Sequence, residues 1–155
     1  MFKRILLAID GSKYSNEALP AALELAQKFQ SEMVILHVSE HDRGRAVVYA
    51  VEAPATATVM VGDAVKKARD AGITANGRLT DVAAGHVAKA IVETAVAIGA
   101  ELIVLGSRGV SDVQALMVGS VTHKVMQTAD VPVLVVRGPR RKTPATNGFA
   151  STFKA

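Results

Sequence analysis

The chain has 155 residues, half of them hydrophobic, and a formal net charge of +4. This length is typical of one domain with its own core, and the lack of cysteine excludes disulfides, thiolate metal sites and cysteine catalysis. No apolar run approaches the roughly 18 residues that span a bilayer. The apolar run after residues 1–4 is also too short for a signal-peptide core, so we expect a cytoplasmic protein that does not contact a membrane.

The positive charge is concentrated at the C-terminus. Residues 138–155 have no acidic side chain and four basic ones, so residues 1–137 carry 14 basic and 14 acidic side chains and no net charge; the four are Arg140, Arg141, Lys142 and Lys154. A basic groove for nucleic acid is therefore not indicated, and aromatic residues are too few to stack bases. We expect one domain over residues 1–137, a disordered basic tail over residues 138–155, and no nucleic-acid partner.

The first third of the chain predicts strand, helix and strand. The apolar run Ile5–Ile9 predicts a strand that ends at the turn residues Asp10-Gly11-Ser12. Apolar residues spaced by three and four then predict a helix from Ser12 or Ser15. Pro20 lies inside this pattern and predicts either a kink or a helix that begins only near Leu19. Met33–Val38 is the second predicted strand.

The rest of the chain continues the alternation of helices and strands. Ser39–Pro54 shows no period and predicts a long connection of uncertain shape. The following segments predict, in order, a helix at Thr56–Ala71, a polar strand at Ile73–Asp81, a helix from Gly85 to Gly99, a strand at Leu102–Leu105, a helix at Gly119–Ala129 and a strand at Val131–Val136.

Alternating strands and helices indicate right-handed crossovers and a parallel sheet covered on both faces. The first, second and fourth strands are uninterrupted apolar runs and suit central positions. The third is polar and the fifth contains Pro132, so both suit edges. We therefore predict a three-layer α/β/α domain with the layering of flavodoxin-like and adenine nucleotide alpha-hydrolase-like folds and the five-stranded order 3-2-1-4-5. Ligands in such sheets bind where the order reverses, here beside Asp10 and Gly106.

A glycine-containing motif follows the fourth predicted strand. It consists of Gly106-Ser107-Arg108-Gly109 and, after nine further residues, Gly119-Ser120-Val121-Thr122. Glycine permits close approach of a ligand to the backbone, and the start of a helix offers free N–H groups to an anion. Ser120 and Thr122 add hydroxyl donors and Arg108 adds a permanent charge. The motif predicts a cradle for nucleotide phosphates.

This Gly-x2-Gly-x9-Gly-Ser pattern resembles the ATP-binding signature of the universal stress protein family. The resemblance covers about residues 1–137 and is weakest between Ser39 and Ala71. Segments outside the motif carry it as well, namely Ile5–Ser12, Gly99–Leu105 and Val131–Val136.

The resemblance implies a site for an adenine nucleotide, ATP with Mg²⁺ carried by the nucleotide near Asp10. It implies that adenine packs near Val38 and that the glycine motif surrounds ribose and phosphates. The predicted nucleotide-binding residues are Ala8, Asp10, Val38, Gly106, Arg108, Gly109, Gly119, Ser120, Val121 and Thr122. Asp10 could instead be an ordinary helix-start residue, and Arg108 could be a solvated loop charge. Family members commonly dimerise through the last strand, which implies a homodimer through Val131, Val133 and Val135.

Catalytic signatures are missing from the sequence. There is no Gly-Lys dipeptide of a Walker motif and no Gly-x-Ser-x-Gly elbow, so we predict a binding protein with no catalytic residue and at most slow ATP hydrolysis. Among the histidines, His37 suits the core, His41 a loop, and His86 the start of the third helix on the ligand side, while His123 falls in the first turns of the fourth helix. No pair has metal-ligand spacing, so no protein-only metal site is predicted.

Two other functions fit parts of the sequence. Asp10, Asp81 and Ser107 loosely imitate the acidic pocket of a phosphoacceptor receiver domain, although Arg137 replaces the lysine expected after the fifth strand. A nucleotide-free interaction module with the same fold is the second alternative.

Overall fold

The computed structural model describes residues 1–41, 54–108 and 118–138. The expected long connection falls largely on residues 42–53, and Gly109, the residues up to 117 and the tail from 139 onward also lie outside the described residues. The elements are β1 (Arg4–Ala8), α1 (Lys13–Phe29), β2 (Glu32–His41), α2 (Pro54–Asp70), β3 (Ala75–Ala83), α3 (Val87–Ile98), β4 (Leu102–Gly106), α4 (Ser120–Thr128) and β5 (Val133–Val136). None of the helices described is long and apolar enough to cross a membrane.

The strands form one parallel sheet in the order β3-β2-β1-β4-β5, which confirms the predicted order. The central strands bury both of their faces, since alternate residues enter two separate apolar clusters. Leu7, in register with Ile35 and Val104, belongs to the cluster under α1 and α2. Leu6, in register with Ile103, belongs to the cluster under α3 and α4. The continuous apolar runs of the sequence therefore reflect burial from both sides.

The order of the strands reverses between β1 and β4. From β1 the chain moves outward through α1 to β2 and through α2 to β3. It then crosses back through α3 to β4 and continues through α4 to β5 on the opposite side. Because crossovers are right-handed, the two directions place α1 and α2 on one face of the sheet and α3 and α4 on the other. The carboxyl ends of β1 and β4 are therefore neighbours whose following segments leave toward opposite faces.

Some predicted boundaries differ from those of the structure. α1 begins at Lys13 with Ser12 as its N-cap, which confirms the predicted start at Ser12 and not the alternative near Leu19; the Ser12 side chain accepts the backbone N–H of Ser15 at 3.2 Å. The helix continues through Pro20, and this residue is exposed. β3 runs two residues beyond the predicted Asp81 because it pairs with β2 as far as Ala83.

The last strand also starts later than predicted. β5 begins at Val133, and Val131 precedes it. The carbonyl of Pro132 accepts the Ile103 N–H at 3.0 Å, but proline has no N–H to return to the ladder. Of the three residues predicted for a dimer edge, Val131 therefore lies outside the last strand, whereas Val133 and Val135 lie in β5.

Two helices end in the same left-handed conformation on different residues. The residue that caps the C-terminus of α1 is Gln30, with φ 55° and ψ 45°, and the one that caps α3 is Gly99, with φ 63° and ψ 42°. In both, the next N–H bonds back to the last turn: Ser31 donates to the Ala26 carbonyl and Ala100 to the Ala95 carbonyl. This Schellman arrangement favours glycine because a Cβ is strained at positive φ.

We therefore predict opposite effects for two substitutions at these helix ends. Gln30→Gly should raise the free energy of unfolding by about 0.5–1 kcal/mol, because it removes a strained Cβ at a left-handed residue. Gly99→Ala should lower it by about 1 kcal/mol, because it places a Cβ at such a residue. A Cβ at Gly99 makes ordinary contact only, 3.7 Å from the Arg4 guanidinium. Urea denaturation measures both changes. Equal signs for the two variants would contradict the assignment of these caps.

Candidate functional site

The floor of a cleft lies across the carboxyl ends of the three central strands. Ala8 is in register with Leu36 on β2 and with Leu105 on β4, and all three side chains belong to the face covered by α3 and α4. The small Ala8 between two leucines leaves a depression in this row. Val38, two residues further along β2, and Ile91 of α3 also line it. The base of the cleft is therefore apolar.

The start of α4 forms the polar end of the same cleft. Gly119 caps the helix, and its N–H donates to the Ser107 carbonyl at 2.9 Å. The first backbone bond within the helix runs from His123 N–H to the Gly119 carbonyl. The N–H groups of the first turn, from Ser120 to Thr122, therefore have no acceptor within the helix, as at any helix N-terminus. These groups and the helix dipole favour an anion at this end.

The ends of β1 and β4 add one carboxylate and one guanidinium. Asp10 accepts the Ser12 N–H at 3.0 Å, so it shapes the turn into α1 and also lines the cleft. Arg108 is half-buried, and its Nη1 donates to the Tyr14 hydroxyl at 3.0 Å. Its guanidinium carbon lies 5.3 Å from the centre of the Tyr14 ring. Arg108 is therefore held by a side-chain partner and is not a solvated loop charge. Asp10 contributes to the turn at the start of α1, as one interpretation predicts, and also lines the cleft.

All of the predicted nucleotide-binding residues that the structure describes line this cleft. Its volume is about 610 Å³, including space open to solvent. The predicted residues are Ala8, Asp10, Val38, Gly106, Arg108, Gly119, Ser120, Val121 and Thr122, while Gly109 lies outside the described residues. The cleft also contains residues that the sequence analysis did not assign to it, namely Ile9, Ser15, Leu36, Val87, Ile91 and Leu105.

Two members of the glycine motif have structural roles within the fold that the sequence did not predict. A Cβ on Gly106 would lie 2.7 Å from the Tyr14 carbonyl carbon and 2.9 Å from the Ser15 nitrogen. The glycine is thus needed for the close approach of α1, and it also lines the cleft. The Thr122 hydroxyl donates to the Gly106 carbonyl at 2.9 Å and is buried, so this hydroxyl is not a donor toward the cleft, whereas the Thr122 backbone N–H still belongs to the free first turn.

The histidines do not contribute side chains to the cleft. His37 is buried in β2 with Nδ1 2.9 Å from the Ile9 carbonyl, which confirms a core role. His41 is the last residue of β2, not a loop residue, and its Nε2 lies 3.4 Å from Asp81. His86 caps α3 and is exposed, with Nδ1 3.0 Å from the Ala84 carbonyl. His123 is exposed on α4. No group of three or more metal-ligating side chains occurs among residues 1–41, 54–108 and 118–138.

The strand order also removes the receiver-domain alternative. β2 lies between β1 and β3, so Asp81 on the edge strand is not beside Asp10. Asp81 instead faces His41 across the β2–β3 pair and is largely exposed. An acidic phosphoacceptor pocket is therefore not assembled from these residues.

Comparison with known proteins agrees with this geometry. The family model described as "Universal stress protein family" matches residues 1–137. The chain belongs to the universal stress protein family. The universal stress protein YxiE of Bacillus subtilis is 38% identical over 151 residues, which cover 88% of this chain and all of that protein.

Solved structures of the family have the same fold. A universal stress protein from Burkholderia pseudomallei matches with a TM-score of 0.65 and 27% identity, over 87% of this chain and 96% of that one. A universal stress protein crystallised in complex with cAMP matches with a TM-score of 0.67 and 25% identity, over 87% of this chain and 97% of that one.

Period-two alternation could have identified part of the apolar wall. Leu36 lies two residues before Val38 and so shares its face of β2. Leu105 follows from the pairing of β4 with β1, once the register places it beside Ala8. Ser15 had no such signal, because its burial depends on the close approach of α1 to Gly106, which only the folded chain reveals.

A substitution at Gly106 tests the revised role of this residue. Gly106→Ala should lower the free energy of unfolding by about 1–3 kcal/mol, because the new Cβ overlaps backbone atoms of α1 that cannot rotate away. Gly62→Ala is the matched control: Gly62 lies in α2 with nothing within 4 Å of a new Cβ, and its substitution should raise stability by up to about 1 kcal/mol. Thermal denaturation measures both variants. An unchanged Gly106→Ala protein that loses only ligand affinity would instead place the ligand against Gly106.

Proposed function

We propose that this universal stress protein binds an adenine nucleotide, ATP with Mg²⁺, in the cleft at the ends of β1 and β4, and that nucleotide occupancy regulates a stress response. The observation that carries the proposal is the joining of an apolar floor at Ala8 to the N-terminus of α4 in one cleft. A nucleotide needs both surfaces at once, because its base is flat and largely apolar while its phosphates are anionic.

The apolar half of the cleft fits a purine base. Leu36, Ala8 and Leu105 give a floor with a central depression, and Val38, two residues beyond Leu36 on β2, lines the cleft beside it. The related protein crystallised with cAMP has the same fold and carries an adenine nucleotide. This supports an adenine nucleotide as the ligand class here.

The polar half fits the phosphates. The N–H groups from Ser120 to Thr122 begin α4, and Arg108 also lines the cleft, so we propose that both supply positive potential to the phosphates. Mg²⁺ usually binds through substrate phosphates and few carboxylates. Asp10 is the one carboxylate that lines the cleft in the described part of the chain, so we propose that the nucleotide carries the ion.

We propose binding without efficient turnover. Hydrolysis needs a base positioned to activate water. The Asp10 carboxylate accepts the Ser12 N–H, and this bond holds it at the turn into α1. A carboxylate fixed in this way suits a ribose or metal contact better than proton abstraction.

Calorimetric titration with Mg·ATP tests the two halves of the cleft separately. Ala8→Leu should fill the depression in the floor, and Gly119→Val should crowd the first turn of α4, whose cap at φ −58° and ψ 154° also suits valine. Each should weaken binding by about tenfold or more, a loss of roughly 1.4 kcal/mol or more. Gly62→Val, on an exposed turn of α2 away from the cleft, should leave affinity unchanged.

The titration of the unsubstituted protein decides between nucleotide binding and the interaction-module alternative. Absence of binding by a folded parent would contradict the proposal and favour a nucleotide-free interaction module. Efficient ATP turnover that Gly119→Val abolishes would instead contradict binding without catalysis.

We also propose a homodimer through β5. β5 is an outermost strand of the sheet that the structure describes, and only one of its edges is paired there, with β4. The carbonyls of Pro132 and Val136 accept N–H groups of β4, so by alternation the polar groups of Val133 and Val135 point to the other edge. Pairing with a second copy would satisfy these groups and protect an apolar edge.

Light scattering after size exclusion tests this dimer. The parent should have twice the 16.2 kDa mass of the chain. Val135→Pro removes an outward N–H without removing a bond to β4, so it should yield the monomer with the fold intact. A parent that elutes as a monomer at micromolar concentration would contradict the proposal.

A further inference from the structure

Tyr14 occupies a junction between α1, β4 and the end of β5. It lies in the first turn of α1, where the close approach of Gly106 fixes its backbone. Its ring packs on Gly138, since a Cβ there would lie 2.9 Å from two ring carbons. The residue is therefore held from two sides, by the last residue of β4 and by Gly138, which follows β5.

Tyr14 is also bonded to the cation of the cleft. The Tyr14 hydroxyl accepts a hydrogen bond of 3.0 Å from Arg108 Nη1, and the guanidinium carbon lies 5.3 Å from the ring centre. The backbone of Arg108 is held as well, because the Ser12 hydroxyl donates to its carbonyl at 3.4 Å. Arg108 is thus tied at both its backbone and its guanidinium to the first turn of α1.

We propose that Tyr14 is a positioning residue, which holds the Arg108 guanidinium at the phosphate end of the cleft and so makes affinity depend on the number of phosphates. This inference rests on the proposed nucleotide function and extends it to the preferred ligand, a nucleoside di- or triphosphate. An unrestrained arginine loses side-chain freedom when it binds, whereas a tethered one is already ordered before the anion arrives.

Lys13 provides a matched comparison. Its ammonium lies 5.1 Å from the centre of the same Tyr14 ring, yet Lys13 does not line the cleft. Removing its charge changes the surroundings of Tyr14 without removing a cation from the phosphate end. A general effect of charge beside Tyr14 would therefore appear in a Lys13 variant, and an effect through Arg108 would not.

Calorimetric titration of the full chain with Mg·ATP and, separately, with adenosine tests the inference. Tyr14→Phe keeps the ring and removes the hydroxyl, and it should weaken Mg·ATP binding by about fivefold, as expected for one hydrogen bond, without changing adenosine affinity. Lys13→Gln should leave both affinities within about twofold, since exposed charges contribute little. In an Arg108→Gln background, Tyr14→Phe should have no further effect on Mg·ATP binding.

The outcomes separate this inference from the proposed function. Equal losses of Mg·ATP and adenosine in Tyr14→Phe would show that Tyr14 acts through packing of α1, and additive losses in the double variant would show that it does not act through Arg108. Either result overturns the inference while nucleotide binding stands. A folded parent that binds neither ligand would contradict the proposed function and the inference with it. Thermal melting of each variant checks that the fold is retained.

Discussion

The parallel pairing of β1 with β4 is the constraint on which the rest of the structure depends. These strands carry Leu7 and Val104 on one face and Ala8 and Leu105 on the other, and both faces are covered. Since the chain leaves their neighbouring carboxyl ends toward opposite faces, the segments that follow diverge and a cleft opens between the starts of α1 and α4. The order of the strands in the sheet thus determines where the cleft lies, and the side chains that line it determine its chemistry.

The glycine motif serves the architecture of this cleft as well as its chemistry. Gly106 allows α1 to approach β4, Gly119 N–H ties α4 to the Ser107 carbonyl, and the Thr122 hydroxyl ties α4 to the Gly106 carbonyl. These bonds orient α4 so that its first turn lines the cleft. The residues that position α4 and the N–H groups at its start therefore belong to the same motif.

The sequence predicts the order of the sheet because polarity distinguishes central from edge strands, and it predicts most of the cleft because strand ends converge at the reversal. It does not predict details that depend on tertiary contacts. The start of α1 is decided by the Ser12 cap despite Pro20, and the extension of β2 to His41 is decided by pairing with β3. The contact of Gly106 with α1 cannot be predicted from the sequence either, because a glycine that is needed for close packing of a helix and one that is needed for close approach of a ligand have the same sequence signal.

A crystal structure of the protein with Mg·ATP tests the central claim most directly, since it locates the ligand as well as detecting it. We expect the base between Val38 and Ala8, and the phosphates at the first turn of α4 beside Arg108. Nucleotide bound away from the ends of β1 and β4, or with its phosphates at the apolar floor, would contradict the account.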